Sequence, residues 1–401
     1  MTDQPAGDAI TRFYEEHPYP PPVADLDDYR GVWTDDRRRE ETLRLWPDAS
    51  IGDERTILVA GCGTSQAAKY GVRYPRSHVV GIDVSERSID ETRRLIERHG
   101  LANVEVHRLP IERVAELGAT FDQVVCTGVL HHLADPDVGL AALASVLRPG
   151  GALEAMVYAP YGRTGVYMLQ EYCRLAGVTP SADDLDELVE VLREIPLAHP
   201  LSHLLRDTPD FADPDALADA LLNPRDRAYA VPDLMAFIGQ AGLRFSRWVR
   251  QAPYRPGCGA MSETPHRRRL ARLSAHDQFA AMELFRGTIV RHNFIARLLA
   301  ADSSDLVVDD DDPAEWSGMV PVRSATAITV TERVPAPWTA ALLNRAHSER
   351  DLVLFVDDEQ HEAFGTIDGV RTCAELGLDP AFAAQLWQHD LIVVDTSAAG
   401  A

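Results

Sequence analysis

The sequence predicts an α/β protein with a Rossmann-like, mostly parallel sheet and helices on both of its faces. From Thr56 onward, short β-branched apolar runs alternate with stretches of helical period, which is typical of parallel strands joined by crossover helices. The first run ends in two glycines, Gly61 and Gly63, and the second ends in a carboxylate, Asp83. Glycine lets the backbone approach a ligand closely, and a carboxylate at the next strand tip can accept both hydroxyl protons of a ribose. Together these observations predict a site for a nucleoside-containing cofactor.

The predicted elements follow in order along the chain. We expect strands at 56–60, 78–82, 103–107, 122–127 and 152–158, and helices at 64–73, 86–99 and 136–147. The last of these helices is expected to stop at Arg148-Pro-Gly-Gly151, where a basic last turn meets helix-breaking residues. After a mostly helical insertion at 159–228, we expect a helix at 231–241, a strand at 243–249, a helix at 270–286 and a strand at 288–297.

Composition divides the chain into four predicted segments. Residues 1–50 form an N-terminal arm or lid, expected as a helix followed by an extended segment because consecutive prolines forbid a helix. Residues 51–300 form the main domain, 301–315 form an acidic linker and 316–401 form a small C-terminal α+β domain. The last segment weakly resembles winged-helix modules that bind peptides in peptide-modifying enzymes. Oligomerisation or covering of the core is the alternative role for this segment.

Charge and cysteine content restrict the class of protein. A formal charge of −23 argues against a nucleic-acid or membrane-surface partner, because both partners are anionic. The five cysteines are scattered and form no CxxC pair, which favours thiols in a reducing cytoplasm over disulfides or a zinc site. No signal peptide and no apolar run of about 18 residues is evident, so we expect a cytoplasmic protein without a membrane anchor. No ligand cluster indicates a metal.

Four segments carry a resemblance to a known family. They are Leu58-Val-Ala-Gly-Cys-Gly63, Val80-Gly-Ile-Asp-Val-Ser85, residues 121–136 (FDQVVCTGVLHHLADP) and Leu147-Arg-Pro-Gly-Gly151. In this order and spacing they resemble class I S-adenosylmethionine-dependent methyltransferases over residues 56–158, and more loosely to about residue 298. The third glycine of the dinucleotide fingerprint is absent, because position 66 is Gln, and this weakens a nicotinamide alternative.

The resemblance implies a role for each matching position. The glycine loop, with Ala60, Gly61, Gly63 and Thr64, would pass beneath the methionine part of S-adenosylmethionine, although many relatives carry an acidic residue where Ala60 stands. Asp83 would hold the ribose hydroxyls. Val84 and the turn of Leu109, Pro110 and Ile111 would flank the adenine, and Thr127, Gly128 and Val129 would line the methionine end near the sulfonium. The residue that contacts the adenine amino group is left unassigned.

Candidates for the acceptor end come from three places. His131 and His132 are candidate bases because histidine titrates near neutrality, with a structural or cofactor-shell role as the alternative. Tyr161 is a further catalytic candidate, because substrate-facing residues are expected after the C-terminal ends of strands. Tyr14 and Tyr19 lie in the arm, which in this family often closes over the cofactor. We expect this arm and the insertion to form a water-excluding lid.

The sequence therefore predicts an S-adenosylmethionine-dependent methyltransferase that releases S-adenosylhomocysteine. The expected acceptor is an O or N nucleophile of a small molecule, or of a peptide held by the C-terminal domain. A nicotinamide-dependent oxidoreductase and a non-catalytic cofactor-binding regulatory protein are the alternatives. Homo-oligomerisation is left open.

Overall fold

A seven-stranded sheet forms the centre of the protein. The computed structural model describes residues 7–17, 20–52, 54–202, 213–298 and 315–397. Strands β1 to β5 pair in parallel in the order β3-β2-β1-β4-β5, and an antiparallel strand, β7, joins β5 to β6 at the far edge. These strands are β1 Thr56–Ala60, β2 His78–Asp83, β3 Val104–Arg108, β4 Phe121–Thr127, β5 Leu147–Tyr158, β6 Leu243–Trp248 and β7 Arg291–Leu298.

Helices cover both faces of this sheet, so the predicted fold class is confirmed. Their apolar side chains pack against the sheet in two large buried clusters, one on each face. With those of the arm and the insertion, the helices described up to residue 298 are α1 Gly7–Glu16, α2 Asp27–Gly31, α3 Asp35–Leu45, α4 Gln66–Arg73, α5 Glu86–His99, α6 Pro136–Ser145, α7 Thr164–Ala176, α8 Ala182–Arg193, α9 Pro214–Leu222, α10 Val231–Gln240, α11 Arg267–Leu270 and α12 Ala275–Arg286. No helix among the described residues is long and apolar enough to cross a bilayer.

Two local expectations need correction. The arm is more helical than predicted, because α2 and α3 follow the proline-rich stretch. The segment 148–151 does not separate helix from strand: α6 ends at Ser145, and β5 already begins at Leu147 and includes the Pro-Gly-Gly residues. The pairing register of β5 with β4 shifts at this point, which is how the strand accommodates a proline and two glycines.

The insertion is helical in its described part, as predicted. Helices α7, α8 and α9 bury a shared apolar cluster, and Phe13 of α1 packs into the same cluster. The arm and the insertion therefore contact each other above the sheet. Residues 203–212 and most of the predicted acidic linker lie outside the described residues.

The C-terminal segment builds its own small core from two antiparallel sheets and three helices. Strands β9, β10 and β11 form one sheet, and β8 pairs with β12 in the other. These elements are β8 Val320–Arg323, β9 Ala327–Val330, β10 Ala340–Asn344, β11 Val353–Val356, α13 Asp358–Thr366, α14 Cys373–Leu376, α15 Pro380–Gln388 and β12 Ile392–Asp395. The resemblance to a winged helix stays a prediction.

Candidate active site

The turn after β1 brings bare backbone to the edge of the sheet. Gly61 has a φ of 68°, a conformation that side chains disfavour, and a Cβ added there would overlap the Val129 side chain. The amides of Gly61 and Cys62 both donate to Ile82 O, at 2.8 and 2.9 Å, which fixes the turn against the end of β2. Glycine is therefore required at position 61 by backbone conformation and by space.

Asp83 stands at the end of β2 beside this turn. Its Oδ2 accepts a hydrogen bond from Gly63 N at 2.8 Å, and its Oδ1 accepts one from Ser85 N at 2.9 Å. Helix α5 has its own N-cap, because the Ser85 hydroxyl accepts from Ser88 N. Burial raises the pKa of Asp83, while backbone hydrogen bonds from Ser85, Gly63 and Val84 oppose that rise. A carboxylate has about four lone-pair sites, so the group can still accept a ligand hydroxyl.

A single cavity of about 1010 Å³ joins the two strand tips to the arm and the insertion. Most of the predicted site residues line it: Tyr14, Gly61, Gly63, Asp83, Val84, Leu109, Pro110, Ile111, Thr127, Gly128, Val129 and His132. The ends of β1, β2 and β4 meet there because parallel strands direct their carboxyl ends to one edge of the sheet.

Four predicted residues do not line this cavity, and a fifth lies outside the described residues. Ala60 is fully buried within β1, and Thr64 is buried with its hydroxyl donating to Pro20 O at 2.8 Å. Tyr161 lies in the turn after β5 with 41% of its surface exposed, and it does not line the cavity. His131 is buried behind the lining. The prediction for Tyr19 falls outside the described residues.

The two adjacent histidines have different environments. The His131 ring packs 3.9 Å from the Tyr158 ring, and burial, His132 and Arg163 hold the pKa of His131 well below its usual range. The His132 ring lines the cavity, and its Nδ1 lies 2.5 Å from Arg225 O. Since a carbonyl can only accept, Nδ1 carries a proton, and in the neutral ring the lone pair then lies on Nε2. This Nε2 is buried and has no hydrogen-bond partner among the described residues.

Tyr158 lines the same end of the cavity, and two side chains pack against its ring. The guanidinium carbon of Arg163 lies 3.5 Å from the ring centroid, in addition to the contact with His131. Arg163 in turn forms a buried ion pair with Asp226, at 2.8 Å. This chain of contacts holds the Tyr158 ring in one orientation at the end of β5.

Four contacts attach the arm to the main sheet domain and the insertion. The Glu15 carboxylate accepts from Glu86 N at 2.6 Å, at the N-terminus of α5. The Tyr14 hydroxyl donates to Asp219 at 2.9 Å, and burial together with Asp219 raises the pKa of Tyr14 well above its usual value. His17 Nδ1 lies 2.9 Å from Asp215, and the arm carbonyl of Pro20 receives the Thr64 hydroxyl described above.

Sequence reasoning missed several polar residues of the cavity, among them Lys69, Glu154, Asp219, Arg291 and Asn293. Glu154 had a usable signal, because it is the single charge within the otherwise apolar predicted strand at 152–158. Arg291 and Asn293 share the face of Tyr158 and Met156 through antiparallel pairing of β7 with β5, which the sequence alone does not reveal.

Comparison with known proteins points to one family. A family model described as a methyltransferase domain matches residues 58–153. An uncharacterised protein of Synechococcus sp. is 30% identical over 295 residues, which is 71% of this chain and 70% of the relative. A ubiquinone biosynthesis O-methyltransferase of Acinetobacter baylyi is 32% identical over 113 residues, covering 27% of this chain and 47% of that enzyme.

A solved structure shares the fold over most of the chain. The structure of PKMT2 from Rickettsia typhi in complex with AdoHcy matches with a TM-score of 0.62 and 14% identity, covering 90% of this chain and 76% of that one. The family match favours S-adenosylmethionine over the nicotinamide alternative. With the glycine turn, the carboxylate of Asp83 and the cavity between them, these matches show that the chain belongs to the class I S-adenosylmethionine-dependent methyltransferase family.

Proposed function

We propose that this methyltransferase acts on an oxygen or nitrogen nucleophile of a small molecule or a peptide. The acceptor would bind where Tyr14, His132 and Tyr158 meet. The observation that carries the proposal is that one cavity joins these three side chains to Asp83 and the turn at 109–111. Its volume of about 1010 Å³ is at the upper end of the range for ligand pockets, ~300–1,000 Å³. That volume leaves room for cofactor and acceptor together.

The residues at the nucleoside end fit S-adenosylmethionine. The carboxylate of Asp83 can accept ribose hydroxyls, the apolar Leu109 and Ile111 can flank a flat ring, and Gly61 presents bare backbone to the cavity. When bound, S-adenosylmethionine supplies a methyl group on a positively charged sulfur. The protein's own tasks are then to position the acceptor, exclude water and accept a proton.

His132 is the residue best suited to accept that proton. Its Nδ1–H is held by Arg225 O, so the lone pair on Nε2 is fixed in tautomer and direction, and this atom has no competing donor among the described residues. His131 is less suited, because it does not line the cavity. Its burial also lowers its pKa and so disfavours the charged form that a base must reach. We assign the catalytic role to His132 and a packing role to His131.

Two measurements test the cofactor and the role of His132. Calorimetry should detect binding of S-adenosylhomocysteine and none of NADH; the opposite result would overturn the cofactor. An acceptor library scored by release of S-adenosylhomocysteine then supplies a substrate for variants. His132→Asn keeps a donor for Arg225 O but removes the base, so we expect a kcat lower by about 10²–10⁴ with unchanged cofactor affinity. His132→Ala removes both the base and the hydrogen bond to Arg225 O. A His132→Asn enzyme with wild-type kcat would refute the role of His132.

We also propose that the arm closes the cavity as a lid. The support is that Tyr14 lines the cavity, that Glu15 accepts a hydrogen bond from Glu86 N of α5, and that the Tyr14 hydroxyl reaches Asp219 of the insertion. Removing either contact, in Tyr14→Phe or Glu15→Ala, should speed dissociation of S-adenosylhomocysteine about tenfold, as followed by stopped-flow fluorescence. Glu16→Ala is the matched control, since Glu16 is an exposed neighbour. Dissociation rates equal to that of Glu16→Ala in both variants would rule out the lid.

A further inference from the structure

The chain contains one lysine, and it lines the cavity. Among 39 lysine and arginine residues, Lys69 is the sole lysine in the sequence. It lies on α4, one turn after the glycine loop, and Gln66 and Arg73 on the same helix face also line the cavity. A half-buried ammonium at this position contributes a compact positive charge next to the backbone turn.

No carboxylate neutralises this ammonium in the described part of the chain. Burial lowers the pKa of Lys69, and the neighbouring Arg73 lowers it further. Two acids that line the same cavity have other partners: Glu41 pairs with Arg73 at 3.0 Å, and Glu154 accepts from Gln123 at 3.2 Å. The Lys69 nitrogen lies 6.0 Å from the centroid of the Tyr29 ring, at the outer limit of a cation–π contact. A cation held next to another cation in a cavity is a site at which an anion would bind favourably.

The position of Lys69 selects one anion. The glycine loop that precedes α4 is where family membership puts the amino-acid part of the cofactor, which ends in a carboxylate. We propose that Lys69 binds this carboxylate through charge-assisted hydrogen bonds. The inference rests on the cofactor being S-adenosylmethionine. It assigns to the chain a contact that neither the motif residues nor the turn at 109–111 supply.

Calorimetry with two ligands tests the contact. S-adenosylhomocysteine carries the carboxylate, whereas 5′-methylthioadenosine has the same nucleoside but lacks the amino-acid part. We expect Lys69→Met to bind S-adenosylhomocysteine at least tenfold more weakly, and 5′-methylthioadenosine as tightly as the wild type does. Lys69→Arg, which keeps the charge, should recover most of the lost affinity. Equal loss for both ligands would indicate a structural role for Lys69, and no loss for either would indicate no contact; both results overturn the proposal.

A labelling experiment gives a second readout without a variant. Because Lys69 is the sole lysine, reductive methylation followed by peptide mass spectrometry reports on this one side chain, apart from the N-terminal amine. Saturating S-adenosylhomocysteine should slow labelling of Lys69 at least tenfold, and saturating 5′-methylthioadenosine should slow it much less. Equal protection by the two ligands would refute the contact. Failure of S-adenosylhomocysteine to bind the wild type at all would instead refute the cofactor assignment.

Discussion

Replacement of Gly61 by alanine tests the geometry of the glycine turn. The added methyl group meets two separate obstacles: the backbone φ of 68°, and the side chain of Val129, which occupies the space where the Cβ would stand. Gly118 offers a matched control, since its φ is 61° and no atom lies within 4 Å of an added Cβ. Gly118→Ala should therefore cost only the free energy of the left-handed backbone conformation.

The two obstacles can be given magnitudes. A left-handed conformation costs a non-glycine residue about 1–2 kcal/mol. Overpacking against a neighbour costs about 1–3 kcal/mol more. We therefore expect Gly61→Ala to lower the free energy of unfolding by about 2–5 kcal/mol, against about 1–2 kcal/mol for Gly118→Ala. Because Val129 lines the cavity, its displacement should also weaken S-adenosylhomocysteine binding about tenfold, while Gly118→Ala binds normally.

Urea unfolding followed by tryptophan fluorescence, together with calorimetry, measures both effects. Adding Val129→Ala removes the obstructing methyl groups, so Gly61→Ala should then cost only the conformational term. A double-mutant cycle should thus give a coupling energy of about 1–3 kcal/mol between the two positions. Equal destabilisation by Gly61→Ala and Gly118→Ala, with no coupling to Val129, would refute the close packing of this turn against β4.

Three further predictions concern buried charge. Asp83→Asn should weaken S-adenosylhomocysteine binding about tenfold. Because the pKa of Asp83 is raised, the affinity of the wild type should fall on acidification at a higher pH than an ordinary aspartate would give. An affinity that calorimetry finds independent of pH would contradict this. Arg163→Leu leaves Asp226 buried and unpaired, and should cost about 3–5 kcal/mol in urea unfolding, which the additional change Asp226→Leu should largely recover. Because the pKa of His131 is lowered, the folded state binds fewer protons than the unfolded state. The free energy of unfolding should therefore decline as the pH falls below about 6.5. In thermal unfolding, His131→Asn should flatten that decline. An unchanged pH profile would remove His131 as its source.

The cofactor end was predictable because its signals are local in sequence. Two glycines at the end of one apolar run and a carboxylate at the end of the next determine which strand tips meet, and the parallel sheet then brings Leu109 and Thr127 to the same edge. The carboxylate of Asp83 does not serve as the N-cap of α5, because the Ser85 hydroxyl has that role. Short-range patterning was therefore sufficient to predict which residues line this half of the cavity.

The acceptor end was less predictable because it depends on contacts between distant segments. Tyr158 is oriented by Asp226 through Arg163, and Tyr14 reaches Asp219, about half the chain away in sequence. Helix α3 was missed for a related reason: it has little apolar periodicity of its own, and its buried Glu40 is satisfied by Ser324 and Ala325 of the C-terminal segment. Neither kind of contact can be predicted from a short window of sequence.

The contacts of the C-terminal segment bear on its role. Asp390 is buried, and its Oδ2 accepts from Gln251 N and Ala252 N of the main sheet domain, at 2.8 and 3.0 Å. Burial acts to raise the pKa of Asp390, but His347 and these backbone donors hold it below its usual range, so the carboxylate is ionised and bound from both sides. An ionised carboxylate shared in this way resists separation of the two parts, because separation would break a buried, charge-assisted network. No described residue of 315–397 lines the cavity. These contacts favour a fixed covering role for the segment, and any capture of a peptide by it would have to occur on its outer surface.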